Sequence, residues 1–147
     1  TEFLYSADDT FTLGGHEVLM EGPDLLIVAS GYMVHEFTKA LEQLDDMSIE
    51  PMIVDLYSLP YDEDAILDLA NQCNGLVLTV EDNYGNAMGA HVASTVAASG
   101  DGFTVEQMHV KKIPKSGKSP DDLMRYCGIS ADDIAKKAIA MLDAAPV

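Results

Sequence analysis

Two glycine-containing loops carry the polar residues that are best placed to bind a ligand. Each loop follows a predicted buried strand, residues 25–30 and 76–81, and precedes a predicted helix. Nearly continuous apolar strands are typical of a parallel sheet that is covered on both faces, and ligands of such sheets bind beyond the carboxyl ends of the strands. We therefore expect a binding crevice lined by Gly31, Tyr32, His35, Glu81, Asp82, Asn83, Gly85 and His91.

The same loops do not predict a catalytic centre. Glu81 or Asp82 could serve as a general base in a crevice, but such a pair more often caps the following helix or bonds the loop. The Ser30-Gly31 pair lacks the Gly-x-Ser-x-Gly pattern of a nucleophile elbow. The four histidines and two cysteines stand at no metal-ligand or redox spacing. The sequence therefore predicts no catalytic residue and no metal site.

A second candidate site is a short basic segment near the carboxyl end of the chain. Its sequence over residues 115–119 imitates the end of a phosphate-binding loop, but Lys112 stands where that loop requires its first glycine. A weak anion site or a subunit contact at a helix amino end is one interpretation, and a solvated loop is the other. The residues concerned are Lys111, Lys112, Lys115 and Lys118.

Charge and composition exclude several classes of protein. The 147-residue chain has a formal net charge of −17; residues 1–110 carry 20 acidic side chains and only one basic side chain, Lys39. A charge this negative disfavours nucleic-acid binding. We expect no membrane association, because no apolar run is long enough to span a bilayer. The first ten residues do not resemble a secretory signal, and two cysteines without a motif favour a cytoplasmic protein.

The elements that position these loops alternate along the chain. This alternation requires crossover connections and predicts a three-layer α/β/α domain with a mostly parallel sheet. We expect an irregular segment over residues 1–15 and one domain over residues 16–147. The predicted strands are 16–21, 25–30, 52–57, 76–81 and 103–110, and the predicted helices are 32–46, 62–72, 87–99, 120–126 and 131–142.

Three long segments resemble one family in order and spacing. They are FTLGGHEVLMEGPDLLIVASGYMVHEFTKALEQL, IEPMIVDLYSLPYDEDAILDLANQCNGLVLTVEDNYGNAMGAHVAS and DDLMRYCGISADDIAKKAIAML. Together they resemble the carboxy-terminal domain of thiamine-diphosphate enzymes: transketolase, 1-deoxy-D-xylulose-5-phosphate synthase, and the beta subunit of the decarboxylating component of 2-oxo acid dehydrogenases. The resemblance implies a five-stranded mixed sheet with residues 16–21 as the antiparallel edge strand. It also implies that the strands ending at Ser30 and Glu81 are central neighbours whose helices leave toward opposite faces.

The resemblance also implies what this chain lacks. Enzymes of the family hold thiamine diphosphate and magnesium between two other domains, and the Gly-Asp-Gly signature of the metal-binding domain has no counterpart here. We interpret Gly100-Asp101-Gly102 as a turn. The chain is therefore predicted to bind no cofactor alone and to be a non-catalytic subunit or fragment that supports dimerisation and assembly. The assembled enzyme would catalyse ketol transfer or 2-oxo acid decarboxylation.

Three kinds of partner follow from these interpretations. As an assembly subunit, the chain would form a homodimer or bind subunits that carry the coenzyme-binding domains. As a stand-alone binding module, it would take a small anionic metabolite or a nucleotide in the crevice. As an acidic docking subunit, it would bind a basic protein partner.

Overall fold

The computed structural model describes residues 3–145 of the chain. Within them, no helix is both long enough and apolar enough to cross a membrane. The strands are β1 (Glu17–Met20), β2 (Leu26–Ala29), β3 (Met52–Asp55), β4 (Leu76–Tyr84) and β5 (Thr104–Val110). The helices are α1 (Met33–Asp46), α2 (Glu63–Gln72), α3 (Met88–Ser99), α4 (Pro120–Cys127) and α5 (Ala131–Ala144).

The five strands form one mixed sheet in the order β1-β3-β2-β4-β5. β1 is antiparallel to β3, and the other three pairings are parallel. In the central register, Ile27 pairs with Ile53 on one side and with Leu78 on the other. The predicted fold class is confirmed, including the antiparallel edge strand and the central position of β2 and β4.

Two hydrophobic cores lie on the two faces of this sheet. Ile27 faces the core that includes Phe37 of α1 and Ile134 of α5. Its neighbour Val28 faces the core that includes Ile66 of α2 and Val92 of α3. Alternate residues of a strand point to opposite faces, so the apolar sequence of β2 supplies both cores. The helices that follow β2 and β4 therefore cover opposite faces, as predicted.

The helix boundaries agree with the capping residues of the sequence. The Asp62 carboxylate accepts a hydrogen bond from the Ala65 amide at the start of α2. Ser130 opens α5 with a capping box, in which its hydroxyl accepts from the Asp133 amide and the Asp133 carboxylate accepts from the Ser130 amide. Gly128 ends α4 with φ of 74°, a left-handed conformation that glycine adopts without strain.

Two strand ends differ from the prediction by more than one residue. β3 ends at Asp55 instead of residue 57, and β4 continues to Tyr84 instead of ending at residue 81. The extension of β4 follows from its neighbour, because Tyr84 still pairs with Val110 of β5 after an irregularity in the register. Residues 82–84 are exposed, so they lack the apolar character by which a buried strand is recognised.

The segment before β1 packs against the end of β3 through aromatic side chains. Residues 3–15 contain no helix or strand. The ring of Phe11 lies between those of Tyr5 and Tyr57, with both centroid distances 4.9 Å and interplanar angles of 79° and 90°. Edge-to-face contacts of this kind are favourable, so this segment is held on the sheet at the end where β3 terminates.

The burial of Phe37 gives a test of the core. Phe37 is fully buried, whereas Phe3 is 89% exposed. We expect Phe37→Ala to lower the free energy of unfolding by about 3–5 kcal/mol, because it removes buried surface and leaves a cavity. The matched change Phe3→Ala should alter it by less than about 0.5 kcal/mol. Urea unfolding followed by circular dichroism measures both, and equal effects would contradict the assignment of Phe37 to the core.

Candidate functional site

A crevice opens beyond the carboxyl ends of the central strands. Its volume is about 550 Å³. Four of the predicted residues line it: Gly31, Glu81, Asp82 and Asn83. The sheet topology brings these four residues together, because β2 and β4 are neighbours and the chain leaves their carboxyl ends toward opposite faces of the sheet. The remaining lining residues are Ser30, Asp55, Leu56, Tyr57, Leu59, Ala87 and Met88.

The other four predicted residues lie beside the crevice and do not line it. Tyr32 is exposed and its ring centroid lies 6.2 Å from that of His35, in the first turn of α1. Gly85 packs against the ring of His109, where a Cβ atom would approach the ring to 2.5 Å. His91 is exposed in the first turn of α3. The two predicted histidines therefore lie on separate helices outside the crevice wall.

Glu81 is the most constrained polar residue of the crevice. Its side chain is buried, and its two carboxylate oxygens accept hydrogen bonds from the amides of Met88 and Gly89, each at 3.1 Å. These amides belong to the first turn of α3, where unpaired N–H groups and the helix dipole favour a negative charge. Glu81 thus occupies the position at which an external anion would bind.

The close approach of α3 to β4 requires glycine at position 89. A Cβ atom there would lie 2.7 Å from the Thr79 hydroxyl and 3.1 Å from a Glu81 carboxylate oxygen. The absence of a side chain lets the amide of residue 89 reach the carboxylate. Gly89 therefore has a packing role, which its position in the sequence did not predict.

Asp55 also lines the crevice and was not among the predicted residues. It ends β3, and its carboxylate accepts a hydrogen bond of 2.7 Å from the hydroxyl of Tyr5. Burial raises the pKa of Asp55, and the nearby Glu17 also raises it, while the Tyr5 hydrogen bond and His35 act in the opposite direction. The pKa of Tyr5 is raised as well, first by burial and then by this hydrogen bond.

The predicted basic segment is folded toward the carboxyl end of α4. Lys112 Nζ donates to the backbone oxygen of Tyr126 at 3.1 Å. The ammonium groups of Lys112 and Lys115 lie 5.1 and 5.4 Å from the Tyr126 ring centroid, within cation–π range. The amino end of α4 is capped by the Ser119 hydroxyl, which accepts from the Asp122 amide. Two of the four lysines are thus held at a helix carboxyl end, where the dipole favours cations.

Diphosphate and magnesium do not fit the crevice. Asp55, Glu81 and Asp82 face it with carboxylates, which repel phosphate oxygens. The α3 amides that would hold a phosphate already bind Glu81. Within residues 3–145, no group of three or more histidine, cysteine, aspartate or glutamate side chains has a geometry suited to a metal ion.

The buried Cys73 is a packing residue, since burial raises the pKa of its thiol to about 11.

Comparison with known proteins identifies relatives of the whole domain. Residues 14–134 match the family model described as Transketolase, C-terminal domain. The transketolase of Rattus norvegicus is 32% identical over 136 residues, which are 90% of this chain and 22% of that protein. A putative transketolase C-terminal section of Methanocaldococcus jannaschii is 32% identical over 142 residues, 93% of this chain and 43% of that protein.

A solved structure supports the same relationship. It is a split gene transketolase, described as an inactive beta4 tetramer, and it superposes with a TM-score of 0.86 at 28% identity. The alignment covers 97% of this chain and 46% of that chain. The chain thus spans about a fifth of the mammalian transketolase and less than half of the two shorter relatives.

The role of Glu81 can be separated from that of its exposed neighbour. We expect Glu81→Ala to lower the free energy of unfolding by about 1–3 kcal/mol, because two amides beneath the crevice lose their acceptor. Asp82→Ala removes the adjacent carboxylate, which is exposed, and should change stability by less than about 0.5 kcal/mol. Chemical denaturation measures both variants. A smaller loss for Glu81→Ala than for Asp82→Ala would contradict the capping role.

The Tyr5–Asp55 contact predicts an unusual titration. The carboxyl of Asp55, followed by carbon-detected NMR, should titrate above its ordinary value of 3.8. Tyr5→Phe should raise the midpoint further, because it removes the hydrogen bond that lowers this pKa. Tyr57→Phe is the matched control and should leave the midpoint unchanged. A midpoint at or below 3.8 in the parent chain would contradict the burial of Asp55.

The same shift has a consequence for stability. Because the pKa of Asp55 is higher in the folded chain than in the unfolded chain, the folded chain binds more protons within this range. The contribution of Asp55 to stability therefore decreases as the pH rises from 3.8 through the folded pKa. Urea unfolding at several pH values gives the free energy of unfolding of Asp55→Asn and of the parent chain. The value for Asp55→Asn minus the value for the parent chain should increase across that pH range and then become constant.

Proposed function

The chain belongs to the transketolase C-terminal domain family, and on this basis we propose that it is a non-catalytic subunit or fragment of a thiamine-diphosphate-dependent enzyme. The proposal is supported by the share of each relative that this chain covers. The similarity extends over nearly all of this chain but over only 46% of a split gene transketolase chain and 22% of a full-length transketolase. In this proposal the remaining parts of the enzyme come from polypeptide outside residues 1–147.

The residues of the crevice support a structural rather than a catalytic role. Glu81 is buried and uses both carboxylate oxygens to hold the start of α3. Asp55 is bonded by Tyr5 from the amino-terminal segment. Both carboxylates thus have hydrogen-bond partners within the chain, which supports a structural role for them. Thiamine diphosphate and magnesium would be bound by the other domains of the assembled enzyme.

The reaction of the assembled enzyme is proposed to be ketol transfer. The relatives described above are transketolases or sections of them, which favours ketol transfer over 2-oxo acid decarboxylation. The function of this chain would be to stabilise the dimer and the contacts among the coenzyme-binding domains. A cytoplasmic location is part of the proposal and fits the two free cysteines, Cys73 and Cys127.

The alternative of an anion-binding module is less well supported. Such a module needs free amides or basic side chains in the crevice. The α3 amides are bonded to Glu81, and two of the four lysines of the basic segment contact Tyr126. The crevice therefore offers carboxylates where an anion would require hydrogen-bond donors.

Affinity capture and reconstitution test the proposal together. Tagged chain should recover from native extract the polypeptides that carry the diphosphate- and aminopyrimidine-binding domains, and the tag alone should not. Transfer of a ketol group from a ketose phosphate should require both components, as followed by a coupled assay. Recovery of no such polypeptide, or turnover by the purified chain alone, would contradict the proposal.

A further inference from the structure

The basic segment, residues 111–118 between β5 and α4, carries positive charge that the chain does not neutralise. All eight residues are exposed, and they hold four of the eight basic side chains of the chain but no acidic one. Among residues 3–145, none of these four lysines forms an ion pair. The lysines are Lys111, Lys112, Lys115 and Lys118.

The ion pairs of the other bases show that this follows from the fold. Lys39 pairs with Glu36 and Asp121, Arg125 with Asp122, and Lys137 with Glu106. Asp121 and Asp122 are the carboxylates closest to the basic segment in sequence, and both are paired with bases outside it. Because the chain has 25 acidic and 8 basic side chains, the unpaired lysines do not result from a shortage of acids.

Contacts with α4 hold the basic segment in a defined conformation. The ammonium groups of Lys112 and Lys115 lie over the ring of Tyr126, and Lys112 also donates to the backbone oxygen of Tyr126. At Gly117 the backbone passes so close to α4 that a Cβ atom would lie 2.8 Å from Cγ of Leu123. These contacts order the segment before a partner binds, which reduces the entropy lost on association.

One large apolar side chain lies among the lysines. Ile113 is 84% exposed, so most of its surface is available for burial by a partner, and that burial is favourable. A small anion would contact the lysines alone. A protein segment can contact Ile113 and the lysines together, so the composition of the basic segment fits a protein better than a small anion.

We propose that the basic segment is a docking surface for an acidic segment of another polypeptide, in which a large apolar residue flanked by carboxylates packs on Ile113. Charge complementarity argues for this occupant. The net charge of −17 opposes the approach of an acidic partner to the rest of the chain, so the unpaired lysines determine where it binds. The inference goes beyond the proposed function, because this surface is separate from the crevice.

Fluorescence anisotropy with the purified full chain tests the chemistry of the partner. The probe is a labelled synthetic peptide of glutamate residues with one central leucine, and its dissociation constant should rise with salt concentration. A peptide of the same length with lysine in place of glutamate should not bind measurably. Replacement of the central leucine by serine should raise the dissociation constant by about tenfold, because the apolar contact is lost.

A matched pair of charge variants locates the binding surface. Lys111→Glu should raise the dissociation constant of the leucine peptide by about tenfold or more, because it places like charges opposite one another. Lys136→Glu is the control. Lys136 is an exposed lysine of α5 that has no ion pair among residues 3–145, and its substitution changes the net charge equally. The control should raise the dissociation constant by less than about threefold.

A second pair of variants tests the apolar contact independently of charge. Ile113→Ser should weaken binding of the leucine peptide by about tenfold and leave binding of the serine peptide unchanged, because the two side chains contact each other. Met47→Ser is the control. Met47 is also exposed, at 57%, but it follows α1, and its substitution should affect neither peptide. Circular dichroism checks that every variant is folded.

The outcomes separate this inference from the proposed function. Absence of peptide binding, equal effects of Lys111→Glu and Lys136→Glu, or equal effects of Ile113→Ser on both peptides would each overturn the docking surface. Tighter binding of pyrophosphate or of oligothymidylate than of the leucine peptide would also overturn it. Capture of coenzyme-binding subunits together with any of these results would leave the proposed function standing. The expected peptide pattern without such capture would support the docking surface and contradict the proposed function.

Discussion

The burial of β2 on both faces is the constraint on which the rest of the structure depends. Ile27 and Val28 point to opposite sides and are both fully buried. A strand of this kind is stable only when helices cover both faces of the sheet. Because α1 and α3 follow neighbouring strands and cover different faces, their chains separate at the carboxyl ends of β2 and β4. The crevice is the space left by that separation.

The chemistry of the crevice follows from the buried carboxylate of Glu81, which lines it. A charged group removed from water must be satisfied by hydrogen bonds, and the amides at the start of α3 provide them for Glu81. The same hydrogen bonds use the donors that a phosphate would need. In many α/β proteins the helix amino end at this position binds a ligand. Here the amides at that helix end bind the Glu81 side chain instead.

The sequence predicted those features that depend on local pattern. Continuous apolar residues identified β2 and β4, and the predicted helix starts at residues 62, 120 and 131 lie within one residue of the starts of α2, α4 and α5. Contacts between distant residues were not accessible in this way. The Tyr5–Asp55 hydrogen bond joins positions 50 residues apart, and its only sequence signal was a carboxylate in the otherwise apolar strand MIVDLY. The sequence allowed Glu81 to be either a base or a cap, and only its distance to the α3 amides favours the cap.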